Sequence, residues 1–294
     1  MKTTLLTSLA TIGLCGSLFG QTIFSEDFQT GQTVGTQPTG ATSVRPSVNT
    51  ADVFTEIVTG ANNPAGGGVV GNNGVQIFDN NASAAGLEYN FVGDTASQIS
   101  ALRIDMDFAN ITTGAGDGVN INLGAGEYNS STSLRMNASS RRFMEVRFEE
   151  DATVDFISAS GSSSANNALV AGQNTLSIFI NDFDSTSITY TRPDTGASAT
   201  LAANSVAYFL NAGDVANRVF FETLLDLNDP TIGGTVGTTE NNFGRFGFAT
   251  NTSSIGLNYN YDNLAVSIVP EPGTYAGLAG VAALFLVALR RRRG

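Results

Sequence analysis

The chain has 294 residues, with 26 acidic residues, 14 lysines or arginines and no histidine, for a formal net charge of −12. Its single cysteine, Cys15, lies close to the N-terminus. The part of the chain that follows therefore has neither a thiol nor an imidazole. This inventory excludes disulfides, thiol nucleophiles, Cys/His zinc sites and Ser-His-Asp triads.

The first twenty residues are typical of a secretory signal peptide. Lys2 is followed by an apolar stretch from Leu5 to Phe19, and Gly20 precedes the polar Gln21. This layout predicts export through the Sec machinery and cleavage by signal peptidase near Gly20. A lipoprotein site would carry a small residue before its cysteine, whereas Leu14 precedes Cys15 here. We interpret Cys15 as an apolar residue of the discarded peptide.

The body of the chain, residues 21–269, is strongly acidic. It contains 25 acidic residues and nine arginines but no lysine, which gives a net charge of −16. Nucleic acids and anionic lipid surfaces require basic footprints, so both are poor partners for this acidic body. The acidity suits an exported protein that meets divalent cations.

The body alternates between apolar and polar residues with a period of two, which is the pattern of half-buried strands. In "SALRIDMDF", Leu102, Ile104, Met106 and Phe108 share one face. In "RRFMEVRF", Met144, Val146 and Phe148 oppose Glu145 and Arg147. Further strands are predicted in "GVQIFD", "GLEYNFV", "GVNINLG", "TLSIFIND", "SITYTR", "RVFFETLLDL", "GRFGFAT" and "YDNLAVSIV".

About ten short strands separated by turn residues predict an all-β fold, an antiparallel β-sandwich or jelly roll that spans residues 21–269 as one domain. The low-complexity stretches 62–74 and 158–167 are predicted to be loops between strands. "AYFLNAGDVANRVFFETLLDL" is the one segment where a helical turn or two is expected.

Two stretches at the ends of the body carry a family resemblance. "IFSEDFQTGQTVGTQPTG" follows the signal peptide, and "YNYDNLAVSIV" closes the body. Together they resemble the first and last strands of laminin-G-like, concanavalin-type jelly rolls of exported bacterial proteins. The resemblance implies that the terminal strands pair, which would bring Asp27 and Phe28 near Asp262 and Asn263.

Two groups of carboxylates are catalytic candidates. Asp105 and Asp107 lie on one strand face about 7 Å apart, a spacing that could serve acid and base roles on a glycosidic bond. The alternative is a solvent-facing polar stripe. The cluster of Glu149, Glu150, Asp151 and Asp155 resembles the Glu-x-Asp-x-x-Glu strand of laminarinase-like hydrolases but lacks its third glutamate. A charged strand end and turn is the favoured interpretation.

Oxygen-rich loops are candidates to bind Ca²⁺, which takes six to eight oxygen ligands. They lie at Asn110–Asn120, Phe78–Asn81 and Ile180–Ser187, and none has the spacing of an EF-hand.

A sugar-binding protein is expected to offer aromatic platforms. The chain has 19 Phe and 7 Tyr but no Trp, and we assign most Phe residues to the buried phase of the strands.

The chain ends in "VPEPGTYAGLAGVAALFLVALRRRRG". Residues 274–289 predict a short transmembrane helix of roughly 24 Å, against a hydrocarbon core of about 30 Å. The positive cluster after it is expected to stay in the cytoplasm and stop transfer. That cluster consists of Arg290, Arg291, Arg292 and Arg293.

This ending resembles the PEP-CTERM sorting signal of Gram-negative bacteria, in residues 270–294. In that family, Pro270, Glu271 and Pro272 correspond to the motif recognised by an exosortase, a membrane-embedded protease that cuts there. The resemblance implies a protein that is anchored briefly in the inner membrane and then reaches the cell surface or the extracellular matrix. Retention of the helix as a permanent anchor is the alternative.

The sequence therefore favours an exported, non-enzymatic structural protein associated with exopolysaccharide or biofilm matrix. The alternative is a carbohydrate-binding, lectin-like module. A third hypothesis is a hydrolase of glycans that uses Asp/Glu pairs.

Overall fold

The computed structural model describes residues 20–80, 84–94, 99–111, 120–126, 128, 130, 142–157, 163–225, 243–250 and 256–269. Within these ranges the chain forms seventeen strands and two single 3₁₀ turns. The strands are β1 Thr22–Glu26, β2 Ser43–Arg45, β3 Val53–Thr59, β4 Asn73–Asp79, β5 Gly86–Asn90, β6 Ala101–Asn110, β7 Asn120–Gly126, β8 Met144–Glu149, β9 Thr153–Ile157, β10 Ser163–Ala168, β11 Asn174–Asn181, β12 Ile188–Thr191, β13 Ser198–Leu201, β14 Ser205–Leu210, β15 Val219–Leu224, β16 Arg245–Thr250 and β17 Leu257–Ile268.

Two large antiparallel sheets face each other. Sheet A runs in the order β15-β14-β11-β6-β17-β4-β3, with β1 added alongside β17. Sheet B runs in the order β10-β9-β8-β7-β16-β5-β2. The predicted all-β, antiparallel sandwich is therefore confirmed.

Period-2 alternation explains which face of each strand enters the core. In β6, Leu102, Ile104, Met106 and Phe108 are buried against sheet B. In β8, Met144, Val146 and Phe148 point into the same core, where the Phe148 ring packs edge-on against Phe108 at 5.0 Å between centroids. Burial of such side chains from both sheets is the main force that holds the sandwich together.

The first and last strands close sheet A. β1 pairs antiparallel with the second half of β17, with Glu26 opposite Leu264 and Thr22 opposite Ser267. β4 pairs with the first half of β17, so β1 and β4 lie along the same strand one after the other. This arrangement confirms that the terminal strands meet as the resemblance implied.

A small hairpin of β12 and β13 covers the outer side of sheet A at one end. It builds a second apolar cluster from Ile188, Tyr190 and Leu201 against Phe179 and Phe209. Val269, the residue after β17, is buried in this cluster and donates its backbone N–H to the carbonyl of Ala101 at 3.1 Å.

Two local predictions were wrong. Residues 205–224 form the hairpin of β14 and β15, without the expected helical turn, because Val206, Tyr208 and Leu210 are needed in the core. Residues 163–167, predicted as part of the loop 158–167, belong to β10, which pairs with β9 at the edge of sheet B.

The predicted signal peptide and sorting signal fall on residues 1–19 and 270–294, outside the described residues. Among the described residues, no helix has the length and apolarity needed to cross a bilayer.

Candidate functional site

The outer face of sheet A carries an aromatic pair at its β3 edge. Phe54 of β3 lies directly opposite Phe78 of β4, and Phe78 lies opposite Asn258 of β17. The two rings are 5.0 Å apart between centroids and tilted by 33°. Both side chains are partly exposed, and neither belongs to the core between the sheets. The sandwich therefore presents two phenyl rings on its surface.

Alternation places polar side chains on either side of each ring. Asp52 and Glu56 flank Phe54 on the same face, and Gln76 and Asn80 flank Phe78. Gln76 donates from Nε2 to Oδ1 of Asn258 at 2.7 Å. We call the set of Asp52, Phe54, Glu56, Gln76, Phe78, Asn80 and Asn258 the aromatic platform.

Gly256 lies beside Phe78 of the aromatic platform and adds no side chain to it. A Cβ atom at this position would lie 3.5 Å from the Phe78 ring and 3.8 Å from Oδ1 of Asn80. Because glycine has no side chain, nothing from this position rises above the ring. Gly256 itself therefore covers neither the Phe78 ring nor the Asn80 amide.

The platform offers the chemistry of sugar recognition. An aromatic ring supplies flat apolar area for the C–H face of a pyranose, while amide and carboxylate groups donate to or accept from its hydroxyls. Sequence reasoning missed these residues because it assigned phenylalanines in strands to the core. Both rings share their strand phase with polar residues, in Asp-x-Phe-x-Glu and Gln-x-Phe-x-Asn, but β3 has apolar residues on both phases, so this pattern alone does not assign Phe54 to the surface.

The predicted carboxylate pair lies on the same face, three strands from the edge. Asp105 accepts hydrogen bonds from Arg103 Nε at 2.9 Å and from Ser177 Oγ at 2.6 Å. Asp107 accepts from Asn263 Nδ2 at 2.7 Å. Burial raises the pKa of Asp107, an effect that its hydrogen bond from Asn263 opposes. Both carboxylates are held by neighbouring strands, which fits the solvent-facing polar stripe.

The structure also brings Asp262 to this region, at a bulge in β17. The register of β17 on β6 shifts between Asp262 and Ala265, and Asn263 takes a left-handed φ of 51°. The buried Asp262 carboxylate accepts from the Asn263 N–H at 2.7 Å and from Asn63 Nδ2 at 3.3 Å. Burial, reinforced by the charges of Asp107 and Asp27, raises its pKa from 3.8 to about 6.

The second group of candidates ends β8 and starts β9. Glu149 and Glu150 are buried, while Asp151 is exposed and accepts from the N–H of Thr153 at 3.1 Å. Asp155 accepts from the N–H of Asn166 at 2.6 Å. Asp151 thus caps the turn after β8, as expected for a charged strand end, whereas Asp155 accepts across from the neighbouring strand β10.

The loops considered for Ca²⁺ are partly described. In 78–81, Asp79 is buried and accepts from Thr250 Oγ1. In 180–187, Asn181 donates from Nδ2 to the carbonyls of Thr186 and Ala202. Residues 81 and 112–119 lie outside the described residues. Within the described parts of the chain, no group of three or more Asp, Glu, His or Cys side chains is arranged to hold a metal ion.

The outer face of sheet B differs from that of sheet A because it carries buried ion pairs. Arg245 Nε lies 2.7 Å from Glu88 Oε2, and both side chains are fully buried. Arg142 and Arg147 both contact Glu145, which is itself buried. Burial lowers the pKa of Arg142, while the charge of Glu145 opposes this shift. The Arg245–Glu88 pair links β16 to β5, whereas Arg142, Glu145 and Arg147 lie in or directly before β8. The sequence placed Glu145 and Arg147 on the face opposite the core, and the structure shows that Glu145 is nevertheless buried there.

The chain is distantly similar to several solved structures. The chain matches no protein-family model and no curated protein sequence. It is similar in structure to a sialidase (TM-score 0.45, 9% identity, 84% of this chain and 19% of that one). It is also similar to a carbohydrate esterase of the Shiga toxin-encoding bacteriophage phi24B (TM-score 0.47, 12% identity, 86% and 100%).

A third similar structure is a protein of unknown function with a galectin-like fold from Bacillus subtilis (TM-score 0.44, 10% identity, 85% and 96%). The chain spans less than a fifth of the sialidase but nearly all of the other two. With every TM-score below 0.5, these likenesses support no conclusion about function.

Proposed function

We propose that this protein is an exported, non-enzymatic carbohydrate-binding module of the cell surface or extracellular matrix. The observation that carries the proposal is the aromatic platform, where the partly exposed rings of Phe54 and Phe78 lie side by side among polar side chains. Adjacent aromatic rings that remain partly open to solvent form an apolar surface of the kind that binding sites use. Exopolysaccharide is the expected ligand.

Export and sorting complete the proposal. The signal peptide at residues 1–20 and the PEP-CTERM-like tail at 270–294 imply delivery by Sec, brief anchoring and release by an exosortase-like enzyme. The fold is compatible with this order, because β17 ends at Ile268 and Val269 is already packed in the apolar cluster. A cut within Pro270–Pro272 would leave every described strand intact.

The contacts of the carboxylates favour binding over hydrolysis. A glycosidase needs two carboxyl groups that face the scissile bond, one of them free to donate a proton. Asp105 is engaged by Arg103 and Ser177, and Asp107 by Asn263. These interactions stabilise the sheet surface and engage both members of the predicted carboxylate pair.

The test is calorimetric titration of the purified protein with neutral and charged polysaccharides, including the producer's own polymer. Phe54→Ala and Phe78→Ala are each expected to weaken binding about tenfold, as for the central residues of a binding surface. Phe220→Ala is the matched control, because Phe220 is an exposed phenylalanine at the far β15 edge of the same sheet. Unchanged affinity in both platform variants would refute the proposed site.

A further inference from the structure

Charge is distributed unevenly across the aromatic platform. The β3 side carries two carboxylates, Asp52 and Glu56, one on each side of Phe54. The β4 side carries the neutral amides of Gln76 and Asn80 around Phe78. No basic residue occupies any platform position, so the surface is negative along one edge and neutral along the other.

The two carboxylates are available for a ligand. Neither Asp52 nor Glu56 makes a side-chain hydrogen bond or an ion pair with another described residue. This contrasts with Asp105 on the same face, which lies 2.7 Å from Arg103. Partial burial raises the pKa of Glu56, since its carboxylate loses water without gaining a donor. A cation placed next to Phe54 would supply the missing partner.

The net negative charge of the body also favours a cationic ligand. With a net charge of −16 over residues 21–269, the field around the domain repels anionic polymers and attracts cationic ones. A uronic-acid or sulfated polysaccharide would meet carboxylates at the platform. A polymer of amino sugars would meet both carboxylates and aromatic rings.

We propose that the aromatic platform binds a polysaccharide that contains cationic amino sugars, that is, hexosamine units whose amine is not acetylated. This proposal rests on the proposed carbohydrate-binding function and specifies its ligand class. The ammonium group pairs with Glu56 or Asp52. The apolar face of the sugar ring stacks on Phe54 or Phe78, and a neighbouring unit places its hydroxyls against Gln76 and Asn80.

The test compares two oligosaccharides of equal length in calorimetric titrations, a fully de-N-acetylated glucosamine oligomer and its fully N-acetylated counterpart. The de-N-acetylated oligomer is expected to bind about tenfold tighter at low ionic strength, and added salt should reduce that difference. Equal affinity for the two oligomers, or a preference for the acetylated one, would overturn the proposal. Failure of every neutral and charged polymer to bind would instead overturn the carbohydrate-binding function.

Variants separate charge from stacking. Glu56→Gln and Asp52→Asn should each weaken binding of the de-N-acetylated oligomer about two- to fivefold and leave the acetylated oligomer unaffected. Phe78→Ala should weaken both. Glu222→Gln is the control, because Glu222 is exposed next to Phe220 on β15, at the opposite edge of the sheet. A loss in Glu222→Gln equal to that in Glu56→Gln would show general charge attraction and refute the site.

Discussion

The backbone N–H of Ile268 donates to the carbonyl of Gln21 at 2.9 Å. This hydrogen bond joins the first residues after the predicted signal peptide to the last residues before the predicted sorting motif. Both ends of the folded body therefore leave the sandwich at the same place. An exported chain held at the membrane by either end would be held at the same end of the domain.

The pairing of β1 with β17 should contribute measurably to stability. Phe24 of β1 packs against Tyr89 at 4.8 Å and against Phe246 at 5.3 Å between ring centroids. We expect Phe24→Ala to lower the free energy of unfolding by about 3 kcal/mol, through lost burial and the cavity left behind. Urea denaturation measures this change. Val48→Ala, at a side chain that is 74% exposed, should have almost no effect.

The buried ion pair of sheet B should be far more sensitive than the exposed one of sheet A. Glu88→Gln leaves Arg245 as a fully buried charge with a weakened partner, so we expect a loss of about 3 to 5 kcal/mol. Asp105→Asn disrupts a pair whose side chains are 39% and 31% exposed, and should cost less than about 1 kcal/mol. Chemical denaturation of the two variants side by side gives the comparison. Similar losses would contradict this account of sheet B.

Asp262 should make the protein more stable in mild acid. Its pKa is raised from 3.8 to about 6, chiefly by burial, so the folded state binds more protons than the unfolded state between these values. The free energy of unfolding should therefore fall as pH rises through this window, by about 2 to 3 kcal/mol from this group. Thermal denaturation from pH 4 to pH 7 measures the slope.

Asp262→Asn should flatten that pH dependence, because the asparagine does not titrate. Asp151→Asn is the control, since Asp151 lies exposed in the turn between β8 and β9. If Asp262→Asn retains the full slope, the effect comes from other carboxylates.

Processing at the C-terminus should leave the fold unchanged. Val269 is buried, and cleavage after it removes no residue of β17. Intact-mass measurement of the exported protein should show that residues 276–294 are missing, and its melting temperature should equal that of a chain ending at Pro272. Glu271→Ala should retain the tail, whereas Glu222→Ala should be processed normally. A full-length exported protein would contradict the exosortase-type route.

The sequence predicted the strands whose two faces differ clearly. β6 has apolar residues on one phase and Arg103, Asp105 and Asp107 on the other, so both its existence and its orientation were evident. β10, with the sequence SSANNA, has no apolar alternation, and only its pairing with β9 defines it as a strand.

The candidate site was harder to predict for a related reason. β3, with the sequence VFTEIVT, has apolar residues on both phases, so alternation alone does not decide whether Phe54 faces the core. The position is decided by the partner strand, since Phe54 lies opposite Phe78. The burial of Glu88 and Glu145 on the outer side of sheet B depends likewise on what lies above that sheet, which no local pattern contains.

The most direct test of the central claim is hydroxyl-radical footprinting of the protein with and without bound polysaccharide, read by mass spectrometry. The aromatic platform predicts that Phe54 and Phe78 become protected from oxidation when the polymer is present, while Phe220 stays equally reactive. Protection of Phe220 with unchanged oxidation of Phe54 and Phe78 would contradict the assignment of the binding site to this face.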